Sequence, residues 1–248
     1  MVDKDLVLVV GMGEVGKPLL RILSRTFDCM GIDIEPVDID SPCSVMHICY
    51  PFQGPDFVKT TTSYMHKYQP ALTIIHSSVA PGTTRKIQAA ADDQAVAYSP
   101  VRGKHVRMEA DMLCYKKFVA APRTETLDVA VTHFRQAGLR TMAFPSLEIA
   151  ELSKILETTY LGVLIAWAQE MERLAVDCGG SFDDVNAFIK EINFLPSHIF
   201  PGEIGGHCVL PNIAILRSQV ESDFLDLILK SNELKQRQHV TAEMGQTV

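Results

Sequence analysis

The residues best suited to chemistry lie in a glycine-rich stretch, residues 201–212, which carries a single thiol, Cys208. Glycine permits backbone conformations and close approaches that other residues do not, so such a loop can present a cysteine to a ligand. A thiolate is a strong nucleophile. We therefore expect Cys208 to be the nucleophile of an active site.

The composition is that of a globular protein with a sizeable core: 248 residues, 47% hydrophobic and 21% charged. A formal charge of -7 without a basic cluster argues against nucleic acid or an anionic membrane as partner. Residues 1–5 do not resemble the start of a signal peptide, and no run of about twenty apolar residues could span a bilayer. We expect a cytoplasmic protein that binds a small molecule.

The cysteines are scattered and form no C-x-x-C pair, which predicts neither a disulfide framework nor a zinc site. We expect no bound metal. Apart from Cys208, we expect the cysteines to be small buried residues. These are Cys29, Cys43, Cys49, Cys114 and Cys178.

A nucleotide-binding pattern opens the chain. The apolar run at residues 6–10 predicts a buried strand, residues 11–16 have the form G-x-G-x-x-G, and a helix is expected from Lys17. Asp33 ends the next apolar run, where a carboxylate can bond both ribose hydroxyls and repel a 2′-phosphate. The pattern predicts NAD rather than NADP, bound by the following residues: Gly11, Met12, Gly13, Glu14, Val15, Gly16 and Asp33.

Further strands are predicted at residues 44–49, 72–75, 95–98 and 118–121, separated by helical or polar segments. This alternation of strands and helices predicts an α/β, Rossmann-like, doubly wound and mostly parallel sheet. Ligands bind outside the carboxyl ends of such strands. That rule predicts cofactor or substrate contacts for Tyr50, Pro51, Ser78 and Ser99. Thr83 and Thr84 have two interpretations, a ligand contact or a cap for the helix that follows.

A long helix is predicted from Ser146, a good N-cap, to Cys178 before two glycines. At about 45 Å it exceeds the needs of the nucleotide-binding unit, so we expect it to connect to a small all-helical domain. The predicted domains are 1–145 for NAD binding, 146–235 for the helical part, and a frayed polar tail at 236–248. Seven apolar residues at helical spacing predict a packed stripe on the long helix. They are Ile149, Leu152, Leu156, Val163, Trp167, Met171 and Leu174.

Four motifs give the chain a resemblance to the UDP-glucose/GDP-mannose (nucleotide-sugar) 6-dehydrogenase family. They are residues 11–16, 77–84, 151–154 and 200–208, and their order spans nearly the whole chain. The resemblance implies oxidation of an alcohol to a carboxylate with two NAD, through a cysteine thiohemiacetal and thioester. It also implies a homodimer formed through the long helix.

The resemblance assigns the nucleophile to Cys208 and a cation that stabilises an alkoxide or oxyanion to Lys154. Ser78 stands where the family has a threonine that holds water. Thr158 replaces an asparagine and Asn212 an aspartate, and both are kept as candidate catalytic residues. Val101 replaces a glutamate that assists attack by water, so we expect slow thioester hydrolysis unless His207 activates water.

The resemblance covers only the family's NAD-binding and central helical domains, since a third, nucleotide-gripping domain has no room in 248 residues. We therefore expect an altered or smaller substrate, or a partner chain that supplies this domain. The substrate could be anionic if a basic cluster recognises it. That cluster is Arg102, Lys104, His105 and Arg107, for which a solvated charged loop is the alternative.

Three functions remain open from the sequence. The first is NAD-dependent oxidation of an alcohol or aldehyde through Cys208. The second is a single hydride transfer of the 6-phosphogluconate or 3-hydroxyacid dehydrogenase type, with Lys154 as acid/base and Cys208 incidental. The third is an NAD-binding sensor or partner subunit without catalysis.

Overall fold

The computed structural model describes residues 6–33, 37–193, 195–196, 198–206 and 208–245. The chain divides into two compact units, Met1–Lys154 and Ile155–Val248. The division falls inside the long helix rather than at residue 145, because the first residues of that helix, Leu147 and Ala150, pack into the core of the first unit.

A parallel sheet of five strands in the order β2-β1-β3-β4-β5 forms the centre of the first unit. Its strands are β1 (Leu6–Val10), β2 (Cys29–Ile32), β3 (Cys43–Ile48), β4 (Leu72–Ile75) and β5 (Val96–Tyr98). A parallel pair, β6 (Lys117–Val119) and β7 (Thr141–Ala143), is joined to β5 by an antiparallel bridge between Ala120 and Tyr98. The predicted fold class is confirmed.

Helices cover both faces of the sheet. They are α1 (Gly16–Leu23), α2 (Pro55–Tyr68), α3 (Thr83–Ala90), α4 (Met108–Cys114) and α5 (Thr124–Gln136), with a short 3-10 turn at His105–Arg107. Alternate residues of β1 enter opposite cores: Leu8 packs in the cluster that contains Met65 of α2, and Val9 in the cluster that contains Phe134 of α5. This two-sided burial explains why β1 reads as an unbroken apolar run.

The second unit is helical. The long helix α6 (Leu147–Asp177) continues into it from the first unit and is followed by α7 (Phe182–Lys190), α8 (Val209–Arg217) and α9 (Asp223–Gly245). Ser146 accepts a hydrogen bond from the amide of Ile149 at 3.2 Å, so the predicted N-cap of α6 is confirmed. Ser181 and Asp184 form a capping box at α7.

Helix α9 continues to Gly245 and so extends into the segment that the sequence predicts to be a frayed tail. The residues of this segment are polar but are mostly good helix formers, and extending an existing helix costs far less than starting one. Residues 246–248 lie outside the described part of the chain.

The stripe on α6 is only partly packed within this chain, contrary to the prediction: Leu152, Val163 and Met171 are half-buried, and its other four residues are exposed. Trp167 is 57% exposed, and Leu156 and Leu174 are 48% and 52% exposed. Helical spacing identifies an apolar face but does not say what covers it.

Candidate active site

The nucleotide-binding loop lies at the carboxyl ends of β1 and β3, where the strand order reverses. Such a reversal opens the crevice in which doubly wound sheets bind ligands. Gly11 has φ +95°, and a Cβ there would lie 2.6 Å from the backbone nitrogen of Tyr50. A Cβ on Gly16 would lie 1.9 Å from the carbonyl oxygen of Gly11. Packing within the protein therefore requires glycine at both positions.

Gly13 differs from these two glycines. A Cβ on Gly13 would meet nothing within 4 Å, and its φ lies outside the left-handed region. Neither the backbone nor a neighbouring residue accounts for a glycine here. The open space at Gly13 is what a ligand that approaches the loop would need.

Helix α1 starts directly after this loop, with Val15 as its N-cap and Glu14 exposed beside it. No side chain caps the helix, and its first turn contains no acidic residue. The amides of a first turn have no partner within their own helix, and the dipole favours an anion at this end. The loop and α1 together suit a pyrophosphate.

Asp33 follows β2 and lies beside the glycine loop, as predicted. Its carboxylate is exposed and accepts a hydrogen bond from the backbone amide of Met12 at 3.3 Å. The Met12 side chain lies over Gly31, where a Cβ would be 2.5 Å from the sulfur. The structure thus brings Asp33 and residues 11–16 together.

The polar groups predicted at this edge differ in their surroundings. The hydroxyl of Tyr50 is 2.6 Å from Oγ1 of Thr61, and burial raises the pKa of this phenol. Ser99 is fully buried, and its hydroxyl has no hydrogen-bond partner among the described residues, so its contact with a ligand stays a prediction. Pro51 is exposed and Ser78 is half-buried, so both remain candidates for contact.

Glu151 of α6 supplies the cap of α3. Its carboxylate is fully buried and accepts hydrogen bonds from the amides of Gly82 at 2.5 Å and Thr84 at 2.8 Å. Burial raises the pKa of this carboxyl, and the hydrogen bonds oppose the rise. The capping role considered for Thr83 and Thr84 is therefore wrong, because the cap comes from α6.

Cys208 is the N-cap residue of α8, and its side chain is exposed. The first turn of α8 contains no acidic residue. On α6, Gly162 faces this helix, and a Cβ there would lie 2.8 Å from Cγ1 of Val209. The missing side chain lets α8 pack closely on α6, which fixes Cys208 in the second unit.

Thr158 and Asn212 are brought together across α6 and α8. The Asn212 amide donates to the Thr158 hydroxyl at 2.7 Å, and that hydroxyl donates to the carbonyl of Ile155 at 2.8 Å. The hydroxyl proton of Thr158 is therefore used in a hydrogen bond to the backbone of its own helix. His207, the alternative activator of water, lies outside the described residues.

Val101 is 6% exposed and packs in the apolar cluster with Met108 and Val119. Nearby, the Arg102 guanidinium lies 4.6 Å from the ring centroid of Phe118, and Arg107 pairs with Asp111 at 3.2 Å. These two members of the predicted anion-binding cluster are engaged within the first unit, which favours the structural interpretation of that cluster.

Sequence reasoning missed a buried array formed by Lys117 and three histidines. Nδ1 of His47 lies 2.9 Å from Nε2 of His76, and Nε2 of His47 lies 3.0 Å from Nε2 of His133. Nζ of Lys117 lies 3.2 Å from Nδ1 of His76 and donates to the carbonyls of Ser99 and Pro100. All four side chains are at most 5% exposed. A polar residue inside the apolar strand β3 was the available signal, since a buried imidazole needs partners.

Burial dominates the protonation of this array. It lowers the pKa of Lys117 to about 7 and that of His133 to about 4. It also holds the pKa values of His47 and His76 well below the ordinary value, helped by neighbouring positive charge. The histidines are therefore neutral at physiological pH.

The cysteines fall into two groups. Burial raises the pKa values of Cys29, Cys43 and Cys49, to about 11 for Cys43 and about 12 for Cys49. Cys114 and Cys178 are exposed, so the prediction that they are buried is wrong.

Over the described ranges, no three His, Cys, Asp or Glu side chains are arranged to hold a metal ion. Of the helices in the same ranges, none combines the length and apolar character needed to cross a bilayer.

Comparison with known proteins finds a family match in the second half of the chain. Residues 148–234 match the UDP-glucose/GDP-mannose dehydrogenase family, central domain, which confirms the resemblance drawn from the motifs. UDP-N-acetyl-D-mannosamine dehydrogenase of Pyrococcus horikoshii is 23% identical over 238 residues. That alignment covers 90% of this chain and 54% of the relative, so the chain spans about half the length of that protein.

Solved structures share the fold. A UDP-D-ManNAc dehydrogenase from Pyrococcus horikoshii aligns with a TM-score of 0.81 at 20% identity, covering 96% of this chain and 70% of the other. The 3-hydroxyisobutyrate dehydrogenase of Mycobacterium tuberculosis aligns with a TM-score of 0.70 at 15% identity, covering 94% and 93%.

The buried Lys117 predicts a stability that rises between pH 7 and pH 9. Its folded pKa is about 7 against an ordinary 10.5, so the unfolded chain binds more protons across this window and stability increases with pH. We expect the free energy of unfolding to rise by about 2 kcal/mol, measured by urea unfolding at several pH values. From about pH 8 upward the raised pKa values of Cys43 and Cys49 oppose part of this rise, because thiols with the ordinary pKa of 9.0 in the unfolded chain ionise first.

In Lys117→Met the rise between pH 7 and pH 9 should disappear, whatever the change in absolute stability. Lys86→Met, at an exposed position of α3, serves as the control and should keep it. An unchanged slope in Lys117→Met would contradict the assignment.

Proposed function

We propose that this relative of the UDP-glucose/GDP-mannose dehydrogenases is an NAD-dependent oxidoreductase that oxidises an alcohol or aldehyde through a covalent bond to Cys208. The assignment of NAD as the cofactor rests on the open space at Gly13, which no residue of the protein explains. The observation that carries the covalent part is the exposed thiol at the N-terminus of α8. The relationship to dehydrogenases supports the reaction class.

The residues of the first unit fit the parts of NAD. The amides of residues 11–16 and the first turn of α1 would hold the pyrophosphate, and Asp33 would bond the ribose hydroxyls. Pro51, which is exposed, and the backbone of Tyr50 at the end of β3 would flank the cofactor. When bound, NAD supplies the acceptor for the hydride.

The proposed chemistry at Cys208 begins with attack of the thiolate on an aldehyde carbon, which forms a C–S bond and a tetrahedral alkoxide. Loss of hydride from that carbon gives a thioester, and water then releases the acid and the thiol. Lys154 would stabilise the alkoxide, and Ser78 would hold the water, as the family relationship suggests.

Two positions at which the family has carboxylates suggest slow release. Val101 lies in an apolar core, and the Asn212 amide is bonded to Thr158, so these two positions supply no carboxylate to assist water. We therefore propose a substrate that is altered or smaller than a nucleotide sugar, or one whose nucleotide is held by a partner chain. A thermal-shift screen tests this: stabilisation of the isolated chain by UDP or GDP sugars would contradict it.

A second candidate is a single hydride transfer with Lys154 as acid/base and Cys208 incidental. The specific support is the 3-hydroxyisobutyrate dehydrogenase, whose chain this protein covers almost completely. An NAD-binding subunit without catalysis is the third, and the tests below separate the three.

We expect Gly13→Ala to weaken NAD binding at least about tenfold, because a methyl group would fill the space that the pyrophosphate needs. Isothermal titration calorimetry measures the effect. Folding should be unaffected, since nothing lies within 4 Å of the added Cβ. Gly202→Ala, which is equally open but lies in the second unit, is the matched control. Equal NAD affinity in both variants would refute the assigned cofactor site.

We expect Cys208→Ser to abolish turnover while NAD still binds, because a serine hydroxyl is a much weaker nucleophile than a thiolate. Substrates would be screened among nucleotide sugars, sugar phosphates and small hydroxy acids, with mass spectrometry for an acyl group on Cys208. Cys178→Ser, at another exposed thiol, should retain activity. Activity that survives in Cys208→Ser would favour the single hydride transfer, and absence of any substrate for the wild type would favour the non-catalytic subunit.

The exposed stripe on α6 supports a homodimer, which we propose forms through that helix. Leu156, Tyr160, Trp167 and Leu174 repeat at steps of four or seven residues, as at a helix–helix seam between identical chains. We expect Trp167→Glu to give a monomer in light scattering, since it places a charge in the apolar seam. Phe188→Glu, at an apolar residue of α7 that is 79% exposed, should remain dimeric. A wild-type monomer would refute the proposal.

A further inference from the structure

We propose that Asn232 of α9, together with Gln169 of α6, is a positioning residue for Cys208. The two buried amides hold residues 202–204 against these helices and so fix the path by which the chain reaches the thiol. The inference rests on the proposed function in one respect, since the thiol must react for its position to matter.

Asn232 pairs with both backbone groups of Ile204. The amide of Ile204 donates to Oδ1 of Asn232 at 2.7 Å, and Nδ2 of Asn232 donates to the carbonyl of Ile204 at 3.0 Å. A neighbouring strand bonds both backbone groups of a residue in the same way, but residues 201–205 belong to no strand or helix. The side chain of Asn232 therefore supplies the hydrogen bonds that a neighbouring strand would supply.

Gln169 holds the same loop two residues earlier. Its Nε2 donates to the carbonyl of Gly202 at 2.7 Å, and its Oε1 accepts from the hydroxyl of Ser231 at 2.8 Å. Nε2 of Gln169 also lies 3.4 Å from Oδ1 of Asn232, so the two amides are neighbours. Backbone carbonyls can only accept and backbone N–H groups can only donate, so the loop determines the orientation of both amides.

Both amides are shielded from water. Asn232 is 4% exposed and Gln169 is fully buried, as is the residue that Asn232 holds, Ile204. A buried amide costs stability unless it is hydrogen-bonded, and apolar side chains would pack α6 on α9 without that cost. The amides are instead matched to the backbone of the loop, so we infer that they hold this segment rather than only join two helices.

Cys208 depends on the loop because it lies where the loop meets α8. It follows Ile204 by four residues and is the N-cap residue of the helix. Its carbonyl accepts from the amide of Asn212 at 3.4 Å, which is long for a hydrogen bond. The packing of α8 on α6 holds the chain after Cys208, while Asn232 and Gln169 hold the chain before it. A misplacement of about 1 Å at a reacting group can lower the rate on the order of a hundredfold.

Nuclear magnetic resonance relaxation of the ¹⁵N-labelled full chain tests the positioning without substrate or cofactor. In the wild type we expect backbone order parameters of about 0.85 at both Ile204 and Cys208, as in a rigid backbone. In Asn232→Leu, which keeps a similar volume but removes both hydrogen bonds, both values should fall below about 0.6. A mobile Cys208 beside a rigid Ile204 in the wild type would overturn the proposal, and this outcome requires no variant to fold.

Asn232→Asp allows a rescue that depends on pH. A carboxylate cannot donate to the carbonyl of Ile204, whereas a protonated carboxyl group has one donor and one acceptor, as the amide has. Burial favours the neutral carboxyl, so we expect the order parameter of Cys208 to be low at about pH 7.5 and to return to the wild-type value at about pH 5.5. A value that stays low at the acidic pH would contradict the assigned pairing.

Turnover gives a second measurement. Asn232→Leu should lower kcat at least about tenfold and leave NAD affinity unchanged, because the candidate cofactor residues lie in the first unit. Lys235→Met is the matched control, since it removes another contact of α9 with α6, the ion pair of Lys235 and Glu172, and leaves the hydrogen bonds of Asn232 and Gln169 in place. The control should keep the kcat and the order parameters of the wild type.

An unchanged kcat, or a Cys208 that stays rigid, in a folded Asn232→Leu would refute the positioning role. Equal losses in Lys235→Met would assign the effect to the packing of the helices and would refute it too. A wild type without turnover on any substrate would contradict the proposed function instead, and the relaxation data would then decide whether the two amides position Cys208.

Discussion

The buried carboxylate of Glu151 determines how the first unit is assembled around its candidate residues. The carboxylate accepts hydrogen bonds from the amides of Gly82 and Thr84 and so joins the loop after β4 to the first turns of α6. Ser78 lies in that loop, and Lys154 follows Glu151 by one turn of the helix. The surface pair of Arg85 and Glu148 adds a contact at 2.6 Å but is largely solvated, so the buried carboxylate dominates.

Sequence patterns predicted the features that depend on local chemistry. The glycine loop, Asp33, the capping serine Ser146 and the length of α6 follow from backbone geometry or short-range hydrogen bonds, and they appear where expected. Strand β7 was missed because it has three half-buried or exposed residues and no apolar run. The stripe on α6 was correctly predicted as an apolar face, but its packing within this chain was overestimated. Helical spacing does not show which neighbour covers such a face.

Long-range polar contacts escaped prediction for a different reason. His47 is separated from His133 by 86 residues, and nothing in either local sequence names the other as its partner. The same holds for Asn212 and Thr158, which are 54 residues apart. The sequence indicates only that each buried polar group needs a hydrogen-bond partner. Only the packing of α5 on the sheet and of α8 on α6 identifies those partners.

The unequal burial of the cysteines determines which thiols of the protein are oxidised under oxidative stress. Thiolates react with peroxide far faster than thiols, so the inner thiols with raised pKa values, Cys43 and Cys49 above all, remain reduced. Oxidation would instead reach Cys114, Cys178 and Cys208 at the surface. Oxidation would thus modify the thiol of Cys208, the candidate nucleophile, before it reached the thiols of the core. The protein would stay folded, and a cellular reductant could restore the Cys208 thiol.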